Sequence, residues 1–289
     1  MSGEAPLLVV TTRSRLRTPA RFGHMWLATL RIRRQLIRDP DVVRWASVIA
    51  GPREFWTITV WRSRHPMLEF MRSGAHDDIM WLFSKWLDSF WLMRWRPRMV
   101  ESGDWDGVAL APEGAGDDGP TTDAQDPRRQ LLDEALTFLP RLRSATGPDG
   151  AATFDATPAA RRRREEVGGS RSVVIRVRSS WWQTASALRD LRQLRSPARS
   201  DAPDRATVGV GRTGETYLLA VWRDGESAER FAGGSHVAAL RQRWGDGVWT
   251  NVWTPENEFG SWDGLRLRRG RDRYAIQVPA KARALDDQN

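Results

Sequence analysis

The same arrangement of residues occurs twice in this chain, once in each half. Both halves carry Val-Trp-Arg, then Trp-x-x-x-Trp-x-Pro, then Trp-Asp-Gly, with nearly the same spacing. The matched segments are 60–62 with 221–223, 91–97 with 249–255, and 105–107 with 262–264. Each copy spans roughly a hundred residues, which is too long for a solenoid unit and is typical of a small domain. The repeat therefore predicts two domains of one fold.

Each copy predicts the order strand, helix, strand, strand, helix, strand. Strands are indicated by β-branched and aromatic runs, and the helices by apolar spacing with Pro near their starts. The predicted strands are 7–12, 42–50, 54–61, 90–95, 172–178, 206–211, 216–222 and 248–253. The second helix of each copy is expected to break at a glycine, at Ser73-Gly74 and at Gly233-Gly234.

A βαββαβ order forms a four-stranded antiparallel sheet with both helices on one face, the ferredoxin-like arrangement. Two such sheets can bury their bare faces against each other. The predicted fold is α+β, with tandem ferredoxin-like repeats forming an intrachain pseudo-dimeric barrel. The predicted domains are 1–110, the first repeat with the active site; 111–170, a linker with one helix at 127–143; 171–270, a divergent second repeat; and 271–289, a tail.

Composition narrows the classes of partner. The 45 Lys+Arg exceed the 36 Asp+Glu, but Lys occurs only at Lys85 and Lys281, and the arginines alternate with acidic residues, so we expect no nucleic-acid partner. The absence of Cys excludes disulfides and cysteine nucleophiles and fits a reducing cytoplasm. Arg interrupts every apolar run before the ~18 residues that a membrane span needs. We therefore expect a cytoplasmic protein with no membrane span.

Tryptophan is unusually frequent, with 16 Trp against 2 Tyr. Trp91, Trp95 and Trp105 recur in the second copy, which favours core packing over ligand contact. Trp81 and Trp86 lie on the second helix, where a membrane-interface role is the alternative. That helix also carries several aspartates, which an anionic bilayer would repel.

The stretch FWTITVWRSRHPMLEFMRSGAHDDIM, at 55–80, resembles the antibiotic-biosynthesis-monooxygenase superfamily of dimeric α+β barrels, and within it the spheroidene-monooxygenase-like proteins. The resemblance covers 7–97 and, with fewer matches, 173–255. It implies a barrel made from two copies, with a tandem repeat in place of the second subunit. Members of that superfamily include cofactor-free oxygenases of aromatic polyketides, haem-degrading enzymes, haem dehydratases, and isomerases or cyclases.

Histidines are the first candidates for chemistry. His76 follows the helix break, where the resemblance implies a haem-iron ligand or a general base, with Met80 and Trp81 beside the cofactor. His24, in the first helix, is a second catalytic candidate. The alternative for His76 is a structural hinge, and its repetition as His236 favours that alternative. Haem is the expected cofactor, and otherwise none.

Substrate contacts are expected on strand 54–61. Thr57, Thr59 and Trp61 alternate with a more apolar set, and we expect them to face the barrel interior. Arg94 is expected to pair with an anionic group, a solvated role being the alternative. The chain lacks a glycine-rich phosphate loop, a nucleophile elbow and paired histidines. The predicted function is an enzyme that modifies a hydrophobic aromatic or polyene metabolite in the barrel cavity, by oxygenation or a related redox or rearrangement step. The alternative is a non-catalytic barrel that binds a small molecule or haem.

Overall fold

The computed structural model describes residues 7–108, 110, 169–195, 201–265 and 267. The first half contains β1 (Leu8–Leu16), α1 (Phe22–Arg38), β2 (Val42–Ile49), β3 (Glu54–Trp61), α2 (Arg64–Met71), α3 (Gly74–Trp86) and β4 (Leu87–Ser102). The second half contains β5 (Arg171–Arg178), α4 (Thr184–Leu194), β6 (Arg205–Val210), β7 (Glu215–Trp222), α5 (Gly225–Gly233), α6 (Ser235–Trp244) and β8 (Val248–Gly260).

The predicted order of elements is confirmed in both halves, including the two helix breaks. Each break separates two helices, α2 from α3 and α5 from α6. The last strand of each half extends well beyond its predicted end. The predicted linker helix at 127–143 and the tail at 271–289 lie outside the described residues, so the domain boundaries stay predictions. No described helix is long and apolar enough to cross a membrane.

The strands form one closed antiparallel barrel in the order β1-β3-β2-β6-β7-β5-β8-β4. The α+β class and the barrel are therefore confirmed. The halves meet at two seams, which differ in the length of their strand pairing. Strands β4 and β8 pair along a long register, from Trp91 opposite Gly260 to Ser102 opposite Thr250. Strands β2 and β6, both fully described, pair only at Ile49 opposite Val210, which leaves most of the β2 edge open.

Indole rings fill the barrel interior. Seven tryptophans belong to one buried cluster with side chains from both halves, and each is at most 2 % exposed: Trp56, Trp91, Trp95, Trp105, Trp249, Trp253 and Trp262. Their rings meet in tilted or edge-on contacts, as aromatic pairs prefer, with Trp105 and Trp249 centroids 4.7 Å apart. The core role predicted for the recurring tryptophans is confirmed. These rings fill much of the interior, and the expected ligand cavity inside the barrel stays a prediction.

Each Trp-Asp-Gly motif forms a turn that contacts the other half of the chain. In each motif Asp and Gly have positive φ, 54° and 78° at Asp106 and Gly107, as a tight two-residue turn requires. Asp106 reaches Arg176 of β5 at 3.0 Å. Its counterpart Asp263 reaches Arg13 of β1 at 3.1 Å. Each turn is thus held by an arginine of the opposite half.

Candidate functional site

The two halves differ in the sheet surface that lies beneath the helices. In the first half this surface carries hydroxyl groups, and those of Thr12 and Thr57 are 2.7 Å apart. At the matching positions in the second half the chain has Ile175 and Leu218, which belong to a continuous apolar core. In the first half the apolar residues on this side form two separate clusters instead. At these two positions only the first half has hydroxyl groups, although Thr216 of β7 and Thr250 of β8 also lie beneath the helices of the second half.

The expected orientation of strand β3 is wrong. Trp56, Ile58 and Val60 belong to the barrel interior. Thr57, Thr59 and Trp61 lie on the opposite, helix-facing side. There Trp61 packs on Phe70 of α2, with ring centroids 5.1 Å apart, and its indole N–H donates to Thr59 Oγ1 at 2.9 Å. A period of two separates the faces of a strand but does not say which face meets the other half.

A cleft of about 700 Å³ opens between α1 and the unpaired edge of β2. Its walls combine polar and apolar groups. The apolar lining includes Trp26, Leu30, Ile37, Trp45 and Phe55, together with Trp56 and Trp105 of the interior cluster. Thr57 lies along it, and Arg212 and Thr213 line its far side, beyond β2. The short β2–β6 pairing creates this opening, because the edge of β2 is not covered by a neighbouring strand.

Charged groups line the cleft on α1, on β2 and beyond β2, and they include Arg33 and Arg44. Arg33 of α1 stacks over the Trp45 ring at 5.1 Å. Beyond β2, Arg212 contacts Asp106 at 2.6 Å and Glu215 at 2.8 Å. Burial opposes ionisation of Asp106, but Arg176 and Arg212 outweigh it and hold its pKa below the usual value. Asp106 is therefore ionised and paired, unlike a general acid.

His76 lies outside this cleft, at the joint between α2 and α3. Its backbone N–H donates to Gln35 Oε1 at 3.0 Å, its Nδ1 lies 3.1 Å from the Met71 carbonyl oxygen, and its ring packs on Phe70 at 5.1 Å. In the second half His236 packs on Phe231 in the same way, at 4.7 Å. The two histidines therefore pack in the same way at equivalent helix breaks. This arrangement favours the structural role that was the alternative for His76.

The described surroundings of His76 give no support for haem, which stays a prediction. An Nδ1–H donated to Met71 would leave Nε2 as a lone-pair donor, as a metal ligand needs. However, the ring is packed on Phe70, and the cleft borders neither His76 nor Met80, which packs within the apolar cluster of α1, α3 and the sheet. The side chain of Trp81 lies outside what the structure describes. Among the described residues no group of three or more His, Asp or Glu could hold a metal ion.

The remaining predicted residues are dispersed. His24 is exposed on α1, with its ring 5.7 Å from that of Trp86. Arg94 is buried on the helix-facing side of β4, between Val10 of β1 and Asn257 of β8, and does not line the cleft. Of the predicted substrate contacts, only Thr57 lies along the cleft.

The α1 side of the cleft was missed at the sequence level. Trp26, Leu30 and Ile37 recur at helical spacing and form an apolar stripe away from the buried positions of α1. The available signal was that α1 carries apolar residues on nearly every side, in addition to four arginines. Such a pattern indicates that the helix makes a second apolar contact, but it does not identify the group that is contacted.

Titration of His76 should make folding sensitive to acid. Burial lowers its pKa below the ordinary 6.5, so below that pH the unfolded chain binds a proton that the folded chain does not. Stability is therefore complete above the unfolded pKa and falls as the pH drops toward the folded pKa. We expect His76→Gln to reduce the loss of melting temperature between about pH 7 and pH 5, each protein being compared with its own value near pH 8. Parallel pH profiles for the two proteins would contradict this.

No protein-family model matches the chain, and no curated protein matches it. Among solved structures, a candidate monooxygenase of Fusobacterium nucleatum is similar at 6% identity and a TM-score of 0.32, over 94% of this chain and 99% of that one. An anthrone oxidase-like protein shows 12% identity and 0.29, over 94% and 99%. An aldoxime dehydratase bound to butyraldoxime shows 11% and 0.46, over 87% and 80%. Similarities this low do not assign an activity.

Proposed function

We propose that the chain binds an elongated hydrophobic molecule of the aromatic or polyene class in the α1/β2 cleft of its first half. The observation that carries this proposal is the hydroxyl pair of Thr12 and Thr57 beneath the helices, where the second half has Ile175 and Leu218. Each of these hydroxyls finds its hydrogen-bond partner in the other, at the cost of the apolar burial that Ile175 and Leu218 provide. Thr57 also lines the open cleft, where its hydroxyl can bind a polar group of a ligand.

The cleft suits such a molecule in size and chemistry. About 700 Å³ lies within the range of small-molecule sites, roughly 300–1,000 Å³. Trp26, Trp45 and Phe55 offer aromatic surface to a flat or conjugated ligand. The Thr57 hydroxyl can orient a carbonyl or hydroxyl group within the cleft, and Arg33 can pair with an anionic group at its α1 wall.

The two halves are best described as tandem ferredoxin-like copies that have diverged. The supports are the matched motifs, the identical order of elements and the crossed contacts of the Trp-Asp-Gly turns. The second copy has a continuous apolar core where the first has hydroxyls. We therefore assign a single ligand site to the chain, in the first copy.

Oxygenation of the bound molecule remains a prediction from the resemblance, as does the spheroidene-monooxygenase-like branch. Hydroxyls, guanidiniums and carboxylates border the cleft, and none of the four His residues does. Binding alone is therefore the function that the geometry supports best. An oxidation here would need electrons for dioxygen from the bound molecule itself or from a redox cofactor.

Filling the cleft should abolish binding. Leu30 lines the cleft, whereas Leu27, on the same helix, does not. We expect Leu30→Trp to weaken binding of a hydroxylated anthrone or of retinoate by roughly tenfold or more, because the added ring occupies the ligand's space. Leu27→Trp is the matched control and should bind as the wild type does. Isothermal titration calorimetry measures both, and equal affinities for the two variants would refute the site.

Removing one hydroxyl should have a smaller and more selective effect. Thr57→Val keeps the shape of the side chain but removes the donor and acceptor. We expect affinity for the hydroxylated anthrone to fall about tenfold, as for a lost hydrogen bond, and affinity for an unsubstituted anthracene to stay within about twofold. Equal losses for both ligands would place the polar end of the ligand elsewhere.

A Soret band on addition of haem, lost in His76→Ala, would instead restore the haem-binding alternative.

A further inference from the structure

The exposed large apolar side chains of the described residues fall into two groups. Among the described residues, five large apolar side chains are exposed: Trp26 (43%), Leu27 (61%), Ile37 (62%), Trp181 (69%) and Trp182 (66%). The first three lie on α1. The other two form the turn that leads into α4, the helix in the second half that corresponds to α1. A monomeric protein in water rarely groups its exposed indoles in this way, and such groups mark interaction sites.

These two groups flank the cleft mouth. Helix α1 packs on β2 and α4 packs on β6, and these strands are neighbours in the barrel. Arg212 and Thr213 form the far side of the cleft, and the next residue, Gly214, accepts a 2.7 Å hydrogen bond from the Ser179 N–H. Trp181 follows two residues after Ser179. Indole and aliphatic groups therefore project on both sides of one opening.

The same face is basic. Helix α1 carries Arg31, Arg33, Arg34 and Arg38 and no acidic residue. On the far side of the cleft, Arg178 and Arg212 are also exposed, although both contact Asp106. Exposed Trp and Leu among arginines, on a helix without acidic residues, is the combination that binds the headgroup region of an anionic bilayer.

We propose that this face, formed by α1 and the Trp181-Trp182 turn, docks on the surface of an anionic lipid bilayer. A second copy of the chain is disfavoured, because a symmetric contact through α1 would place one set of arginines against another. Nucleic acid would neutralise the arginines but would leave Leu27 and Ile37 in water. A bilayer surface accommodates both kinds of group.

Docking extends the proposed function without depending on it. The cleft opens between the two groups of exposed side chains, so a docked protein presents that opening to the membrane. A hydrophobic ligand dissolved in the bilayer could then enter without crossing water. The variants below change residues that do not line the cleft, so docking and ligand binding can fail separately.

Vesicle flotation with the full chain tests the proposal. The vesicles are phosphatidylcholine alone, or phosphatidylcholine with about one third phosphatidylglycerol, which supplies the anionic surface. We expect binding only to the anionic vesicles. Arg31→Gln with Arg34→Gln should weaken it by about fivefold per arginine. Leu27→Gln, and separately Trp181→Gln with Trp182→Gln, should each weaken it by about tenfold through loss of apolar insertion.

The matched control is Arg62→Gln with Arg230→Gln, which removes the same charge from exposed sites outside α1 and α4. It should float as the wild type does. Equal losses in the control and in the α1 charge variant would overturn the proposal, as would equal binding to both kinds of vesicle or to neither. A dimer in solution that Leu27→Gln dissociates would assign the face to a second copy. DNA binding that only the arginine variants weaken would assign it to nucleic acid.

Discussion

Replacing either Trp91 or Trp249 with alanine is expected to lower the free energy of unfolding by about 3–5 kcal/mol, by similar amounts in the two halves. Both rings are at most 1 % exposed in the barrel interior. Each also donates to a carboxylate on the strand across the long seam, Trp91 to Glu258 at 2.7 Å and Trp249 to Glu101 at 2.6 Å. Truncation therefore leaves a cavity and removes a donor from a carboxylate. Denaturant unfolding with an unchanged m-value measures the loss.

Phenylalanine separates the two contributions. Trp91→Phe keeps most of the ring volume but removes the indole donor, so its cost should be smaller than that of alanine and should report chiefly the lost hydrogen bond, about 1–3 kcal/mol. Trp182→Ala, at an exposed position, is the control and should change stability by about 0.5 kcal/mol or less. If Trp91→Ala were as mild as the control, this indole would not be part of the core.

Arg176→Ala is expected to destabilise the protein by about 3–5 kcal/mol, because it leaves a charge without its main partner in the barrel. The Arg176 guanidinium is 2% exposed and contacts Glu215, 4% exposed, at 2.6 Å. It also contacts Asp106 of the first half at 3.0 Å. Its removal therefore weakens both the interior of the second half and the turn that ties the halves together.

Arg178 provides a matched control on the same strand. It contacts the same Asp106, at 3.4 Å, but its side chain is 64% exposed. Ion pairs in water contribute little, so Arg178→Ala should cost about 0–1 kcal/mol. Thermal or denaturant unfolding of the two variants gives the comparison. Similar costs would mean that Arg176 is no more deeply desolvated than Arg178.

The order of elements in each half was predictable because it depends on local signals. Glycine breaks after Arg72 and Ala232, prolines near helix starts and alternating strands all act within a few residues. Repetition then identified the core tryptophans, since positions used twice in one fold are most simply explained by packing. The barrel followed from the bare face that each predicted sheet leaves. None of this required knowledge of how the two halves meet.

The candidate site depended on that meeting. Alternation along β3 separates Thr57 from Trp56, but only the second sheet decides that Trp56 is inside the barrel and Thr57 beneath the helices. Likewise, nothing in the sequences of β2 and β6 predicts that the two strands pair at a single position. This short pairing opens the cleft. His76 was predicted from its neighbours in sequence, and the packing of its ring on Phe70 became visible only in three dimensions.

By itself, the sequence determined the order of elements in each half, the helix breaks and a tryptophan-rich core, because hydrophobic period and local breaks are properties of the chain read along its length. The tertiary structure alone decided which strand faces turned inward, where one seam stayed open and which exposed indoles came to flank the opening. Those outcomes depend on contacts between residues more than a hundred positions apart, such as Ile49 with Val210 and Arg13 with Asp263. The interaction energies that decide these outcomes come from pairs of residues that only the closed barrel brings together.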